Sequence, residues 1–292
     1  MDHNRRFPLI LSGFWLKIIA LLTMTIDHIG LSFNIEPMRY IGRLALPLFC
    51  FMIAEGAIHT KSFKKYALRL GIMASFISIA ILLSETIPFF KNNGLSMRDA
   101  GIIFVDLLLG ALAIYLLKQK QWYFKVLAIL PVAFGVTSAI VTAADSCRCY
   151  GEILWFPYFI RTQYGWYAIV LTIGFYFAHL LCSGFISYLS SNSGVDRELY
   201  KGSNIERNAL NMISVMVLAA ITMANYLSDY FLKTYFNLPD GLIRIQLFAI
   251  ASGAFILLYS GLRGYNKKWF QYGSYLYYPL HMAVIALIQI II

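Results

Sequence analysis

The chain has 292 residues, 60% of them hydrophobic and only 13% charged, roughly half the charged share of a soluble domain. Its apolar runs are continuous and reach the roughly 20 residues that cross a bilayer core, which excludes a soluble enzyme and argues against a barrel of alternating strands. The formal charge of +10 sits in short loops between those runs, so it reports membrane orientation and not a nucleic-acid partner.

The pattern predicts an all-α polytopic membrane protein, a helical bundle of about nine to ten transmembrane helices forming a single domain over residues 1–292. Residues 1–13 are polar and basic, with no evident cleavable signal peptide. Nine spans are expected at 14–34, 40–59, 66–88, 101–117, 123–144, 164–185, 209–228, 243–262 and 272–291. Segment 150–163 reads as a tenth, partial or re-entrant element. The polar stretch 186–208 reads as a flexible connection. Pro88 ends the third span, and Pro131 with Gly135 is expected to kink the fifth. Pro47 lies inside the second span, where it frees a backbone carbonyl.

With a cytoplasmic N-terminus, sixteen Lys and Arg fall inside and eight outside, which favours that orientation in a bacterial cytoplasmic membrane. Cys50 and Cys182 lie in apolar runs and read as small buried residues. Cys147 and Cys149 form a loop pair that is either a disulfide or two thiols, and is too small for a zinc site. No metal is expected.

A charge within a membrane-spanning helix costs roughly 2.5–3.5 kcal/mol on insertion scales, so such residues need a reason. Asp27 and His28 fall in the outer part of the first span, and Arg43 enters the antiparallel second span at a similar depth. An Asp27–Arg43 pair lowers the cost of both charges, either locking two helices or framing a site. A carboxylate beside His28 sets its tautomer and raises its basicity. Glu55 and His59 are four residues apart on one helix face. With Lys61, Lys64, Lys65 and Arg69 they form a basic rim suited to the phosphates of a nucleotide-like donor, or to orientation alone. Asp106, Asp145 and His179 read as core or interfacial residues. His281 follows Tyr278 and Pro279 at mid-span, where it is expected to line a tunnel with Tyr278 and Pro47.

The blocks LKIIALLTMTIDHIG, YIGRLALPLFCFMIAEG and KYALRL resemble the TraX family of membrane proteins. LLLGALAIYLL, YGWYAIVL and YYPLH look like further family blocks. The resemblance implies N-acetylation of the pilin amino terminus. It also links the chain to transmembrane acyltransferases such as heparan-α-glucosaminide N-acetyltransferase. It implies acetyl-CoA as cytoplasmic donor, an acceptor pilin or cell-surface glycan outside, His28 as the catalytic histidine, Asp27 as its partner, and Arg43 and Glu55 as matching polar residues.

The expected chemistry is acetyl transfer, with His28 as general base or covalent acyl carrier and Arg43 stabilising the oxyanion. The competing expectation is a proton-coupled secondary transporter, since buried Asp, His, Arg and Glu also suit a proton relay. Transporter folds are commonly built from repeats, and no second copy of the DHxG–GRxAxP block is visible.

Overall fold

The structure is a computed structural model that describes residues 9–92, 101–147, 153, 155–236 and 244–291. Among these, the regular elements are helical, and one isolated β-bridge joins Leu11 to Tyr259. Helix α1 spans Gly13–Ser32, and a tight turn through Asn34, at φ 55, leads into α2, Glu36–Gly42, and α3, Ala45–His59. Next come α4, Phe63–Thr86, the short α5, Pro88–Asn92, and α6, Ile103–Leu117. Then follow α7, Trp122–Leu127, α8, Ile129–Cys147, and α9, Trp166–Ser193. Short α10, Arg197–Tyr200, precedes the 33-residue α11, Asn204–Phe236. A 3-10 segment, Arg244–Ser252, continues into α12, Gly253–Leu257, and α13 closes the chain at Lys268–Ile291.

Seven helical stretches among the described residues are long and apolar enough to cross a membrane: α1, α2–α3, α4, α7–α8, α9, α11 and α13. This is fewer than the nine to ten expected. The expected spans 101–117 and 243–262 correspond to shorter apolar helices, Ile103–Leu117 and Ile245–Leu257. The start of α6 is tied to a distant loop: the Ile102 amide donates to the Arg161 carbonyl at 3.0 Å. An added methyl at Gly101 would meet the backbone of Gln163.

Segment 150–163 contains no crossing helix among its described residues. It holds one 3-10 turn, Tyr158–Ile160, and folds back along α8. The Thr162 amide donates to Ser138 Oγ at 3.0 Å, and Gly165 lies against Gly135 and Ala139. Ala139 is eight residues before the end of α8, so the chain re-enters by about 12 Å at 1.5 Å per residue. The stretch 186–208 is also ordered, in correction of the flexible connection expected. Helix α9 runs through it to Ser193, stops at left-handed Gly194, and α10 follows, capped by Asp196 on the Glu198 amide.

Two helices break where proline physics dictates. A proline cannot bond the carbonyl four residues earlier, and its ring crowds that carbonyl. Pro47 points back to Arg43, where α2 gives way to α3, and Pro131 points back to Leu127, where α7 gives way to α8. Helix α9 lies at the centre, packed against α3, α6, α8 and α11. Phe51, Tyr167 and Phe175 are among the largest fully buried side chains. Leu68, Ile72, Phe76 and Ile79 of α4 are exposed at helical spacing, the apolar stripe a lipid-facing helix presents.

Candidate functional site

Asp27 is the hub of a buried ionic cluster. Arg43 Nη2 donates to both Asp27 carboxylate oxygens at 2.5 Å, and Arg39 Nη1 lies 3.2 Å from Oδ1. The pairing expected from depth is present, and the break at Arg43 orients it. Arg43 Nη1 also donates to Gln246 Oε1 at 3.3 Å, and Nε donates to the Arg39 carbonyl. Gly42 makes the approach possible, since a Cβ there would overlap the Asp27 side chain. Gly42→Ala is therefore expected to displace the carboxylate and cost about 1–3 kcal/mol. A fall in Tm of the purified protein in detergent checks this, and an unchanged Tm contradicts it.

His28 is 8% exposed and does not use Asp27 as its partner. Consecutive helix residues point about 100° apart, and Asp27 is turned toward α2. The partner is His281 of α13: His28 Nδ1 and His281 Nε2 stand 2.6 Å apart. Tyr278 packs edge-on against both rings. On the neighbouring turn, Thr25 Oγ1 and the Tyr277 hydroxyl are 2.7 Å apart.

A cavity of about 590 Å³ opens beside this cluster, within the size range of small-molecule sites. Its lining runs from Gly13 to Met24 along α1, about 16 Å at 1.5 Å per residue. Five cations line it: Lys17, Lys61, Arg69, Arg207 and Arg263. Among the lining residues Glu55 is the acid, and it is occupied. It meets His179 Nε2 at 2.8 Å, Arg207 Nη1 at 3.5 Å and His59 Nδ1 at 3.8 Å. Arg207 also lies over the Tyr259 ring and against Gly261, at φ +77, where a side chain would collide with the guanidinium.

The far end of this cavity meets a second one of about 10 Å³, room for about one water. Met24, Phe49, Ile103 and Tyr278 line both, while Asp27, His28, Gln163 and Tyr164 line the small one. The cation-lined cavity and the His28 pocket therefore adjoin across these four side chains.

Several expected positions fall differently. His59, Lys61, Glu55 and Arg69 line the large cavity, and Lys64 and Lys65 do not, because the first turn of α4 carries them outward into exposure. Tyr278 lines both cavities. Pro47 and His281 line neither cavity: Pro47 is buried in the first turn of α3, and His281 stands behind His28. Arg43 also lines neither. Asp106 is fully buried and accepts from the Gln163 amide at 2.8 Å and the Tyr164 amide at 3.3 Å, clamping the re-entrant loop over the small cavity. Asp145 is paired with Arg161 at 2.5 Å, so it is more than interfacial. Cys50 and Cys182 are buried free thiols. The Cys147–Cys149 question falls on side chains outside the described residues, as do Arg5 and Arg6 of the charge count. Among the described residues no group of three or more His, Cys, Asp or Glu side chains is placed to hold a metal ion.

Sequence reasoning missed Arg39 and Gln246 in the Asp27 cluster, Gln163 and Tyr164 at the small cavity, and Lys17, Arg207 and Arg263 at the large one. Lys17 carried a signal, being a charge five positions into the first apolar helix. The others come together through contacts between distant segments.

The chain is 32% identical over 114 residues to the "Probable fimbrial assembly protein FimC, serogroup H1" of Dichelobacter nodosus, covering 34% of this chain and 47% of the relative. It is 55% identical over 38 residues to the "Uncharacterized protein RP591" of Rickettsia prowazekii (strain Madrid E), covering 12% of this chain and 15% of that protein. The matches thus span about half or less of these relatives. No solved structure matches. The family described as "TraX protein" matches residues 12–191, which hold α1 to α9 almost complete and with them Asp27, His28, Arg43, Glu55 and the re-entrant loop. The chain belongs to the TraX family.

Proposed function

We propose that this protein is a membrane acetyltransferase that moves acetyl from acetyl-CoA to an amine or hydroxyl acceptor, with His28 at the reaction centre. The observation that carries the reading is the cation-lined cavity adjoining the His28 pocket, which we read as one passage. Its wide end gathers five cations, suited to the phosphates of CoA, and its narrow end closes on His28. Charge-assisted hydrogen bonds of Lys and Arg to phosphate are the strong kind, and the Glu55 cluster holds Arg207 at that wall. The acyl arm would run along α1 past Phe49 and Tyr278 to the neck.

In this reading the wide end faces the cytoplasm, as the N-terminus does, in the bacterial inner membrane. His28 takes the proton as the acceptor attacks the thioester carbonyl. The C–S bond then breaks, and the proton passes to the departing thiolate. A covalent route, in which the imidazole carries the acetyl group, uses the same passage. Tyr278 and Tyr164, which line the neck, are assigned to the developing oxyanion. Arg43 acts through Asp27 instead, because it lines neither cavity. The family resemblance and the name of the fimbrial relative favour a pilin amino terminus as acceptor. A surface glycan is the second acceptor class.

The test uses purified protein in proteoliposomes given acetyl-labelled acetyl-CoA on one face and a pilin amino-terminal peptide or an amino sugar on the other. Label transfer with stoichiometric release of CoA thiol is expected. Proton-linked solute uptake with no thiol release would overturn the reading. In the same assay Lys17→Ala with Arg263→Ala is expected to raise KM for acetyl-CoA about 10–100-fold, at 1.5–3 kcal/mol per charged hydrogen bond less solvent screening. Lys64→Ala with Lys65→Ala is expected to leave KM within about twofold. Equal effects would contradict the placement of the phosphates.

A further inference from the structure

The partnership of His28 with His281 carries more than proximity. The ring centroids are 4.9 Å apart with the planes 12° from parallel, and the nearest nitrogens are 2.6 Å apart. Face-to-face rings would keep their atoms about 3.5–4.0 Å apart, so the two imidazoles meet edge to edge and share one proton in the N···N line. His281 Nδ1 also lies 2.9 Å from the Tyr277 carbonyl. A carbonyl only accepts, so the proton of His281 is on Nδ1 and its Nε2 is bare. That bare nitrogen can only accept from His28, which must carry its own proton on Nδ1. His28 Nε2 is then left as the free lone pair.

The alternative, a His281 protonated on both nitrogens, would add a buried cation beside His28, where Arg39 and Arg43 already outnumber the single Asp27 carboxylate they share. Tyr164 and Tyr278, the other titratable groups at this pocket, supply no counter-charge while they keep their protons. The Tyr277 ring, 5.2 Å from His281 and 14° from parallel, and the Tyr278 edge hold the imidazole in this plane.

We propose that His281 is a positioning residue that fixes the tautomer and orientation of His28, making Nε2 of His28 the atom that takes the proton or the acetyl group. The tyrosine–tyrosine–proline–leucine–histidine run thereby acquires a use: it fixes the imidazole four residues beyond the carbonyl that sets its tautomer. The tautomer assignment stands on geometry alone, and its link to turnover rests on the acetyl-transfer reading.

Two measurements separate these. The first is nitrogen-15 NMR of histidine-labelled protein in nanodiscs, with signals assigned by His28→Gln and His281→Gln. A neutral His28 protonated on Nδ1 and bare on Nε2 is expected, and the opposite tautomer or a doubly protonated His281 in the wild type would overturn the inference. The second is turnover. His281→Leu is expected to lower kcat at least tenfold with KM for acetyl-CoA unchanged. His281→Gln, whose amide oxygen can accept from His28 Nδ1–H, is expected to restore most of it. Equal losses in both variants, or a loss confined to KM, would overturn the positioning role. Absence of acetyl transfer in the wild type would remove the functional reading and leave the tautomer result to decide the rest.

Discussion

Replacing His28 by alanine is expected to lower acetyl transfer by about 10²–10⁴-fold, the range a positioned general base supplies. Binding of CoA should stay within about twofold, because His28 lines the small cavity and the cations line the large one. The fold should survive the change. His28 touches His281 and Tyr278 but takes no part in the ion pairs that join α1 to α2. The check is a pair of numbers on one preparation: labelled acetyl transferred per minute, and CoA bound at equilibrium. Loss of both together would mean that His28 supports the cavity and not the chemistry. Full transfer would remove His28 from the reaction. A stable acetyl-imidazole on the wild-type protein would select the covalent route.

Asp27→Ala is expected to be the most damaging single change to stability. It leaves two guanidinium groups, 12% and 11% exposed, without their shared carboxylate. Breaking a buried pair by removing one partner costs about 3–5 kcal/mol, a large part of the roughly 5–15 kcal/mol that holds a domain folded. Arg43→Gln is expected to cost less, because Arg39 stays within 3.2 Å of Asp27 and keeps the carboxylate paired. The double variant should be less unstable than the sum of the two, since part of the cost of Asp27→Ala is the stranded Arg43. Thermal unfolding in detergent gives all three values. Equal and additive costs would contradict a shared hub.

The spans were legible because bilayer thickness writes itself into run length. Among the described residues seven helices are long enough to cross, and the expected spans 101–117 and 243–262 are shorter apolar helices. Ahead of α6, Gly101 and Ile102 are tied to the loop at Arg161–Gln163, a pairing about 60 positions apart that no local pattern records. The break between α2 and α3 was half legible. Pro47 announced a freed carbonyl, and the helix does stop at Arg43, four residues earlier. Asp27 and Arg43 could be matched by depth because they belong to adjacent antiparallel spans. The same reasoning misassigned the partner of His28, because neighbours in sequence diverge around a helix while His281, 253 positions away, is aimed at it. The basic rim was read from the densest run of lysines, yet Lys64 and Lys65 face outward. Cations scattered through α1, α11 and the 259–266 turn complete the lining instead. Charge density along the chain records which side a loop lies on, and a cavity wall is assembled from single residues of many segments.

In the proposed reaction one passage joins the cation-lined cavity to His28 and carries the acyl donor. A structure of the wild-type protein with bound CoA in a lipid nanodisc tests it most directly. Phosphate density is expected against Lys17, Arg207 and Arg263, with the pantetheine arm passing Phe49 and Tyr278 and its thiol at the neck beside His28. CoA bound outside this cavity, or a filled cavity with the thiol turned away from His28, would contradict it.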